Sequence, residues 1–445
     1  MIPTLQSISR DIASGKITRS AVVDAALTRA ADPGGIGSLV FTRLNAKEAR
    51  STGQQQDEAA HAGALSGIPI SIKDLFDVRG EVTTAGSTVL ARAKPAAQDA
   101  IAIARLKQAG AIVVGRTNMT EFAFSGVGLN PHYGTPPNPY ERSKRLLPGR
   151  SSSGAAESVS DGMAVAALGT DTGGSIRIPA ALCGLTGFKP TQSRIPMDGM
   201  FPLSPTLDSV GVIAPTVRCC HAVDAVLSNN PASTLQPVAL RNAVLAVPQN
   251  YFLDEMDVQV AQAFERTLSQ LSRAGARIIE IDLPEISAIK MVNANGGFAA
   301  AEAYKIHSDL NLNMERYDPL VRERILRGKN ISTDVYAEMV KQRHTIIKSY
   351  AQMKDDFDAM LSPTVPIVAP PVSSLEASVE EYRRINLLLL RNPSIANFLD
   401  LCAISLPCHR QKEAPVGLMV TGWHGADDHL LSLALGIESV GSEYA

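Results

Sequence analysis

The sequence predicts an α/β fold with helices layered on a mixed sheet, and three observations carry that prediction. Helix-like and strand-like segments alternate along the chain, the pattern of a layered α/β protein. A helix that stops at Ala-Gly-Ala and passes directly into a short apolar strand occurs twice. Of 445 residues, 45 % are apolar and 19 % charged, a balance that supports a large core and argues against disorder. No repeat of fixed period is present, so one architecture is reused rather than stacked as a solenoid.

The elements follow in order. Residues 1–30 read as helical, with Thr18 able to cap a segment rich in Ala and Val that runs to about Ala30. Ile68–Ile72 is a short apolar strand. Ile101–Ala109 reads as a helix ended by Gly110, and Ala111–Val114 as the strand after it. Residues 117–215 are dense in Gly, Ser, Thr and Pro, yet they include the apolar run Met163–Leu168, which reads as helical. Linkers do not interleave Gly-Ser turns with core-grade apolar segments, so this stretch is backbone shaped to a purpose. Val244–Val247 is a further strand. Val258–Ala274 is an amphipathic helix stopped by Gly275, with Ile278–Ile281 as its strand. Ala359–Leu361 and Gly417–Thr421 are strand candidates, and Asp427–Glu438 is a closing helix. Composition marks no domain boundary. The chain reads as a single domain, residues 1–445, with residues of about 225–380 as a helical elaboration.

Charge excludes several classes of function. Lys plus Arg number 42 and Asp plus Glu 44, a formal charge of −2 with no basic block, so no nucleic-acid partner is expected. Five cysteines without metal spacings make neither a disulfide framework nor a metal site, and they read as buried small hydrophobes. The start, Met-Ile-Pro-Thr, lacks a basic segment followed by an apolar one, so no signal peptide is expected. Leu387–Leu390 is too short to span a bilayer. The expectation is a soluble cytoplasmic protein that needs no membrane, metal or cofactor and can form a homodimer.

The most informative segment is Gly169-Thr-Asp-Thr-Gly-Gly-Ser-Ile-Arg-Ile-Pro179. Glycine permits positive φ and close approach of the main chain, and successive N–H groups can then face one anion. Ser175 would be a nucleophile standing beside its own oxyanion hole; a plain connecting turn is the bland alternative. The segment is not a Gly-x-Ser-x-Gly elbow, because Ile176 and Arg177 follow the serine. A second cluster, Pro148-Gly-Arg-Ser-Ser-Ser-Gly154, is either functional or a solvated loop. Lys73 follows an apolar strand in Gly67-Ile-Pro-Ile-Ser-Ile-Lys-Asp74, where it is either a buried neutral base or half of a surface pair with Asp74. The histidines are His61, His132, His221, His307, His344, His409, His424 and His429, and none lies in a triad motif. A Ser–Lys apparatus is therefore the better candidate.

Together these residues resemble the amidase-signature family. The likeness includes Lys73, the serine cluster, Gly169–Pro179 and Gly184-Leu-Thr-Gly-Phe-Lys-Pro-Thr191. It extends to Thr117-Asn-Met-Thr-Glu121, Asn138-Pro139 and Leu207-Asp-Ser-Val-Gly211, with order and spacing kept across about residues 65–215. The resemblance implies a three-layer α/β/α sandwich around a large mixed sheet, and an amidase acting on a small-molecule carboxamide. It implies Ser175 as nucleophile, Ser151 as a bridging serine held by a cis peptide bond, and Lys73 as the terminal base. It implies an oxyanion hole from the N–H groups of Thr172, Gly173 and Gly174 with Ser175. It makes Asp171 and Arg177 supports of the loop, and Ala123, Phe124 and Ser125 a lining of the substrate channel. The alternatives on the same fold are a catalytically dead binding protein and the glutaminase-type component of an amidotransferase complex. A lysine base predicts activity rising toward alkaline pH.

One position departs from the pattern. Relatives carry glycine where this chain has Arg150, at the bond expected to be cis. Its guanidinium can point away and be neutral, reach the pocket and favour a carboxylated substrate, or impair catalysis. The C-terminal half holds no motif that decodes the substrate; Tyr304, Arg391 and Trp423 are candidates by residue type alone.

Overall fold

Alternation along strands decides where the short apolar segments go. The computed structural model describes residues 2–59, 63–230 and 235–442, so His61 lies outside the described residues. Among the described residues eleven strands form one sheet: β1 (Phe41–Leu44), β2 (Pro69–Lys73), β3 (Ile112–Thr117), β4 (Ala166–Asp171), β5 (Thr186–Lys189), β6 (Ser209–Ala214), β7 (Val244–Pro248), β8 (Arg277–Ile281), β9 (Ala359–Pro363), β10 (Ala403–Pro407) and β11 (Gly417–Thr421). Their order is β1-β3-β2-β4-β6-β5-β10-β11-β9-β7-β8. β2 runs parallel to β3 and β4, and β7 runs parallel to β8 and β9; the remaining pairs are antiparallel. The sheet is mixed, as the sequence predicts.

Two cores lie on its two faces. Ala166 and Leu168 join one apolar cluster, with Ile103, Val223 and Leu431 from helices Ile101–Gln108, Val217–Leu227 and Asp427–Ser442. Ala167, between them, joins another with Val159 and Ala180 from helices Ser153–Ser160 and Arg177–Leu182. The same alternation recurs at β11, where Leu418 and Val420 face the first cluster and Met419 the opposite side. Each fully buried Ile or Leu contributes about 1.5–3 kcal/mol, so a strand covered on both faces tolerates few polar residues. Helices on both faces make the three-layer α/β/α sandwich.

Two local expectations change. Met163–Leu168 is not helical: helix Ser153–Ser160 ends before Gly162 (φ 66°), and β4 begins at Ala166. A six-residue apolar run is too short for periodicity to separate strand from helix. Residues 1–30 form two helices, Leu5–Ala13 and Arg19–Ala30, broken around Gly15 (φ 71°); Thr18 caps the second by accepting from the Ala21 N–H. Within residues of about 225–380 the three strand candidates, Val244–Val247, Ile278–Ile281 and Ala359–Leu361, pair in the sheet as β7, β8 and β9. Among the described residues, no helix is long and apolar enough to cross a membrane.

Candidate active site

The site forms where β2 and β4 end side by side. Ile70 and Ile72 face one core, so the strand turns Ser71 and Lys73 to the other side, where the Ser71 hydroxyl meets Ser158 of helix Ser153–Ser160 at 2.7 Å. Lys73, the last residue of β2, is therefore carried inside rather than out to solvent; it has no exposed surface. The surface pair with Asp74 does not form, because Asp74 is taken by the buried Arg116 at 2.6 Å. Lys73 Nζ instead donates to Ser151 Oγ and to Thr170 Oγ1, each at 2.8 Å. Ser151 Oγ donates onward to Ser175 Oγ at 2.7 Å. The three residues come from β2, from the loop before helix Ser153–Ser160 and from the loop after β4.

Burial, joined by the positive charge of Arg150, pulls the Lys73 ammonium down from its ordinary 10.5 to about 7, against the opposing carboxylates of Asp208 and Asp171. Desolvation disfavours the charged form of a lysine, so a large fraction is neutral at ordinary pH. Such an amine can accept a proton through Ser151 from Ser175. No described histidine hydrogen-bonds Ser151 or Ser175: His132 meets Glu121, His307 meets Tyr317, and His409 and His424 meet carbonyl groups. Among the described residues no group of His, Cys, Asp and Glu is arranged to hold a metal ion.

The resemblance implied a cis bond before Ser151, and this is corrected: every peptide bond among the described residues is trans. Gly149 takes a positive φ of 81°, and the trans chain delivers the Ser151 hydroxyl to both partners without the cost of a non-proline cis bond, about 3–4 kcal/mol.

The loop after β4 is held from behind. Asp171 accepts the N–H groups of Gly174 (2.6 Å) and Ile176 (3.1 Å), and pairs with Arg177 through Nε (3.1 Å) and Nη2 (2.9 Å). Asn397 adds a bond to Asp171 and another from Arg177. Burial alone would raise the Asp171 carboxyl, but Arg177 holds it well below the carboxylate range. Gly174 sits at φ 115°, and a Cβ there would lie 2.6 Å from Pro393, so only glycine fits. The Gly174 N–H is thereby turned to Asp171 and is no oxyanion donor, which corrects one expectation. The N–H groups of Thr172, Gly173 and Ser175 have no acceptor among the described residues and stay available. The Thr172 hydroxyl is fixed by Asp208 at 2.6 Å.

A cavity of about 500 Å³ opens onto this loop at Thr172 and Gly173. Of the three residues expected along a channel, Phe124 reaches its wall. Ala123 packs into an apolar cluster behind it. Ser125 acts indirectly: its hydroxyl meets Tyr382 at 2.6 Å and its carbonyl accepts from Arg150 Nε at 3.3 Å. Arg150 does not point away. It is 3 % exposed and its side chain lines the cavity against Gly173. Arg391 also lines the cavity, whereas Trp423 is in the core, its indole N–H bonded to the Phe357 carbonyl, and Tyr304 packs beside the Phe122 cluster.

Sequence reasoning missed Thr170, Asp208, Asn397 and Arg324. Thr170 had a signal, since β4 runs parallel to β2 with Leu168 opposite Ile72, which brings Thr170 beside the end of β2. Asp208 also had one, as the acid of Leu207-Asp-Ser-Val-Gly211, whereas Asn397 and Arg324 had none, because the loop they complete is remote in the chain.

Comparisons with known proteins bear on the family and the fold. A family model described as Amidase matches residues 21–431. The chain is 37 % identical over 392 residues to 2-amino-5-chloromuconic acid deaminase of Comamonas testosteroni, covering 86 % of this chain and 84 % of that protein. It is 32 % identical to one subunit of the glutamyl-tRNA(Gln) amidotransferase of Roseiflexus castenholzii, covering 94 % of this chain and 92 % of that one. A crystal structure of an amidase superposes with a TM-score of 0.87 at 31 % identity, covering 98 % of this chain and 99 % of that one.

Proposed function

Because this chain belongs to the amidase family and is an amidohydrolase of small-molecule C–N bonds, we propose that it works through an acyl-enzyme on Ser175 generated by Lys73 and Ser151. Neutral Lys73 accepts the proton of Ser151 as Ser151 accepts that of Ser175. Ser175 Oγ attacks the carbonyl carbon, and the oxygen, now anionic, is met by the N–H groups of Thr172, Gly173 and Ser175. The relay then returns a proton through Ser151 to the departing nitrogen. The C–N bond breaks, and ammonia or an amine leaves. Water adds to the ester with its proton taken by the same relay, the C–O bond to Ser175 breaks, and the carboxylate departs.

The single observation that supports this reading most is the unbroken chain of 2.8 and 2.7 Å contacts from Lys73 through Ser151 to Ser175, sealed from solvent and ending at three free N–H donors. Asp171 and Arg177 act as supports, holding the donors in register. The sheet that runs through the whole chain supports a single domain. Five unpaired thiols support a reducing, cytoplasmic location.

The test is labelling with a fluorophosphonate. The expected outcome is an adduct on the peptide containing Ser175, absent in Ser175→Ala, with ammonia released from a panel of small amides. No adduct and no ammonia would favour a binding protein on the same fold. The amidotransferase relatives favour a second reading, a glutaminase that works with partner subunits; ammonia release from glutamine only in the presence of such subunits would select it.

A further inference from the structure

Buried charges are normally paired, because removing a cation from water costs several kcal/mol that only a partner offsets. Arg150 breaks this rule. Its Nε meets the Ser125 carbonyl, but Nη1 has no partner, and no carboxylate lies within ion-pair distance among the described residues. Arg324, from helix Pro319–Arg327, lines the same cavity. Among the described residues its guanidinium makes no hydrogen bond or ion pair, and it stacks on the face of Phe124 at 4.6 Å. Burial, joined by the charges of Arg324 and Arg177 and opposed by the more distant Asp171 and Asp208, pushes Arg150 down to about 9. Burial likewise brings Arg324 to about 10. Glu323 is the acidic residue of the wall, and it is engaged by Arg327 at 3.0 Å and Arg383 at 2.7 Å. Among the described residues the cavity thus presents Arg150 and Arg324 without an ion pair, and Lys290 and Arg391 on the same lining are likewise unpaired with any carboxylate, so the pocket is cationic, with apolar wall at Leu203 and Leu207.

Position sharpens the point. The Arg150 guanidinium packs so closely on the oxyanion loop that a Cβ at Gly173 would lie 3.1 Å from Nη1. Arg150 also directly precedes Ser151 in the chain. An anion that meets Nη1 is therefore within a short tether of the carbon that Ser175 attacks.

We propose that the substrate carries a carboxylate on its acyl part, a few bonds from the scissile carbonyl, and that Arg150 takes this carboxylate with Arg324 facing it across the cavity. The chemical class is the monoamide of a short dicarboxylic acid. The inference rests on the amide-hydrolysis reading for its chemistry, but the anion site can be tested without chemistry. Arg150 selects substrate; it makes no hydrogen bond to Lys73, Ser151 or Ser175 and acts on the relay only through its charge.

Two measurements test it. The first compares kcat/KM for ammonia release from succinamate and from butyramide, which differ by the carboxylate. The native chain should prefer succinamate by about 10- to 100-fold, the range of a charge-assisted hydrogen bond. In Arg150→Gly that ratio should fall toward one, with Arg150→Lys between. A ratio unchanged by Arg150→Gly overturns the proposal. The second is calorimetric binding of succinate to Ser175→Ala, to Ser175→Ala with Arg150→Gly, and to Ser175→Ala with Arg324→Gln. Saturable binding weakened at least tenfold by either arginine change supports the site even if no amide is turned over, in which case the hydrolytic reading alone fails. Amide turnover without preference and without succinate binding sinks this proposal and leaves the hydrolytic reading standing.

Discussion

Two buried arginines flank the loop that carries Ser175, and they are treated in opposite ways. Arg177, behind the loop, is fully paired: two bonds to Asp171, one to Asn397, and a contact to the Met419 sulfur. Arg150, on the cavity side, has one bond to a carbonyl and an orphaned Nη1. The same residue type is a support where its charge is satisfied inside the fold and a receptor where it is not. What separates them is the presence of a carboxylate within reach, which leaves the charge of Arg150 for something that arrives from outside.

Four experiments can break or sharpen that contrast. The largest effect falls on what both arginines serve. Ser175→Ala should lower kcat on the order of 10⁴-fold or more, the scale seen when a catalytic serine is removed, with the folded state kept. Near-native turnover would dissolve the common centre of the comparison.

The next experiment sets the two arginines directly against each other. Arg177→Met leaves Asp171 buried without its cation and should cost about 3–5 kcal/mol in denaturant unfolding. Arg150→Met removes a buried charge that has no ion-pair partner, is penalised chiefly by desolvation and is offset only at longer range by Asp171, and should leave stability unchanged or raise it. Equal losses in the two variants would show that Arg150 is structurally bound after all.

The third is the pH profile of the native chain. Lys73 must be neutral to accept a proton, and it stands at about 7, set by burial, lowered further by Arg150 and opposed by Asp208 and Asp171. The rate on a neutral amide should fall about tenfold per pH unit below that value and level off above it. Full rate at pH 5 would remove Lys73 from the role of base. The linkage has a definite sign. Between about 7 and 10.5 the unfolded lysine binds a proton that the folded one lacks, so this group's contribution to stability rises with pH across that window.

The smallest effect joins both regions. In Arg150→Gly the nearest cation is lost while Asp171 and Asp208 remain, so Lys73 should hold its proton more tightly. The acid limb for a neutral amide should move to higher pH, by less than about one unit. A shift toward acid would mean that Arg150 does not act on the lysine through its charge.

Much of the site was legible because it is built from local rules. The alternation Ile70-Ser71-Ile72-Lys73 forces a lysine inward once both faces of β2 are covered. Gly173-Gly174-Ser175 announces a loop shaped for main-chain donors, and the joint order of Lys73, Ser151 and Ser175 carries the family resemblance. Strands in the glycine-rich stretch were harder. Thr186–Lys189 and Ser209–Ala214 are only half apolar, and what makes them strands is pairing with each other and with β4 and β10.

By itself, then, the sequence determined the layered α/β architecture, singled out the three residues of the proposed relay and marked the oddity of Arg150. Only the tertiary structure decided that the bond before Ser151 is trans, that the Gly174 N–H turns to Asp171, and that Arg150 meets no carboxylate but faces Arg324. The physical reason is range. Periodicity and backbone freedom act between neighbours in the chain and can be read from it. Whether a buried donor or charge is satisfied depends on atoms brought close by the fold, and Asn397 and Arg324 come from helices remote from the loop they complete.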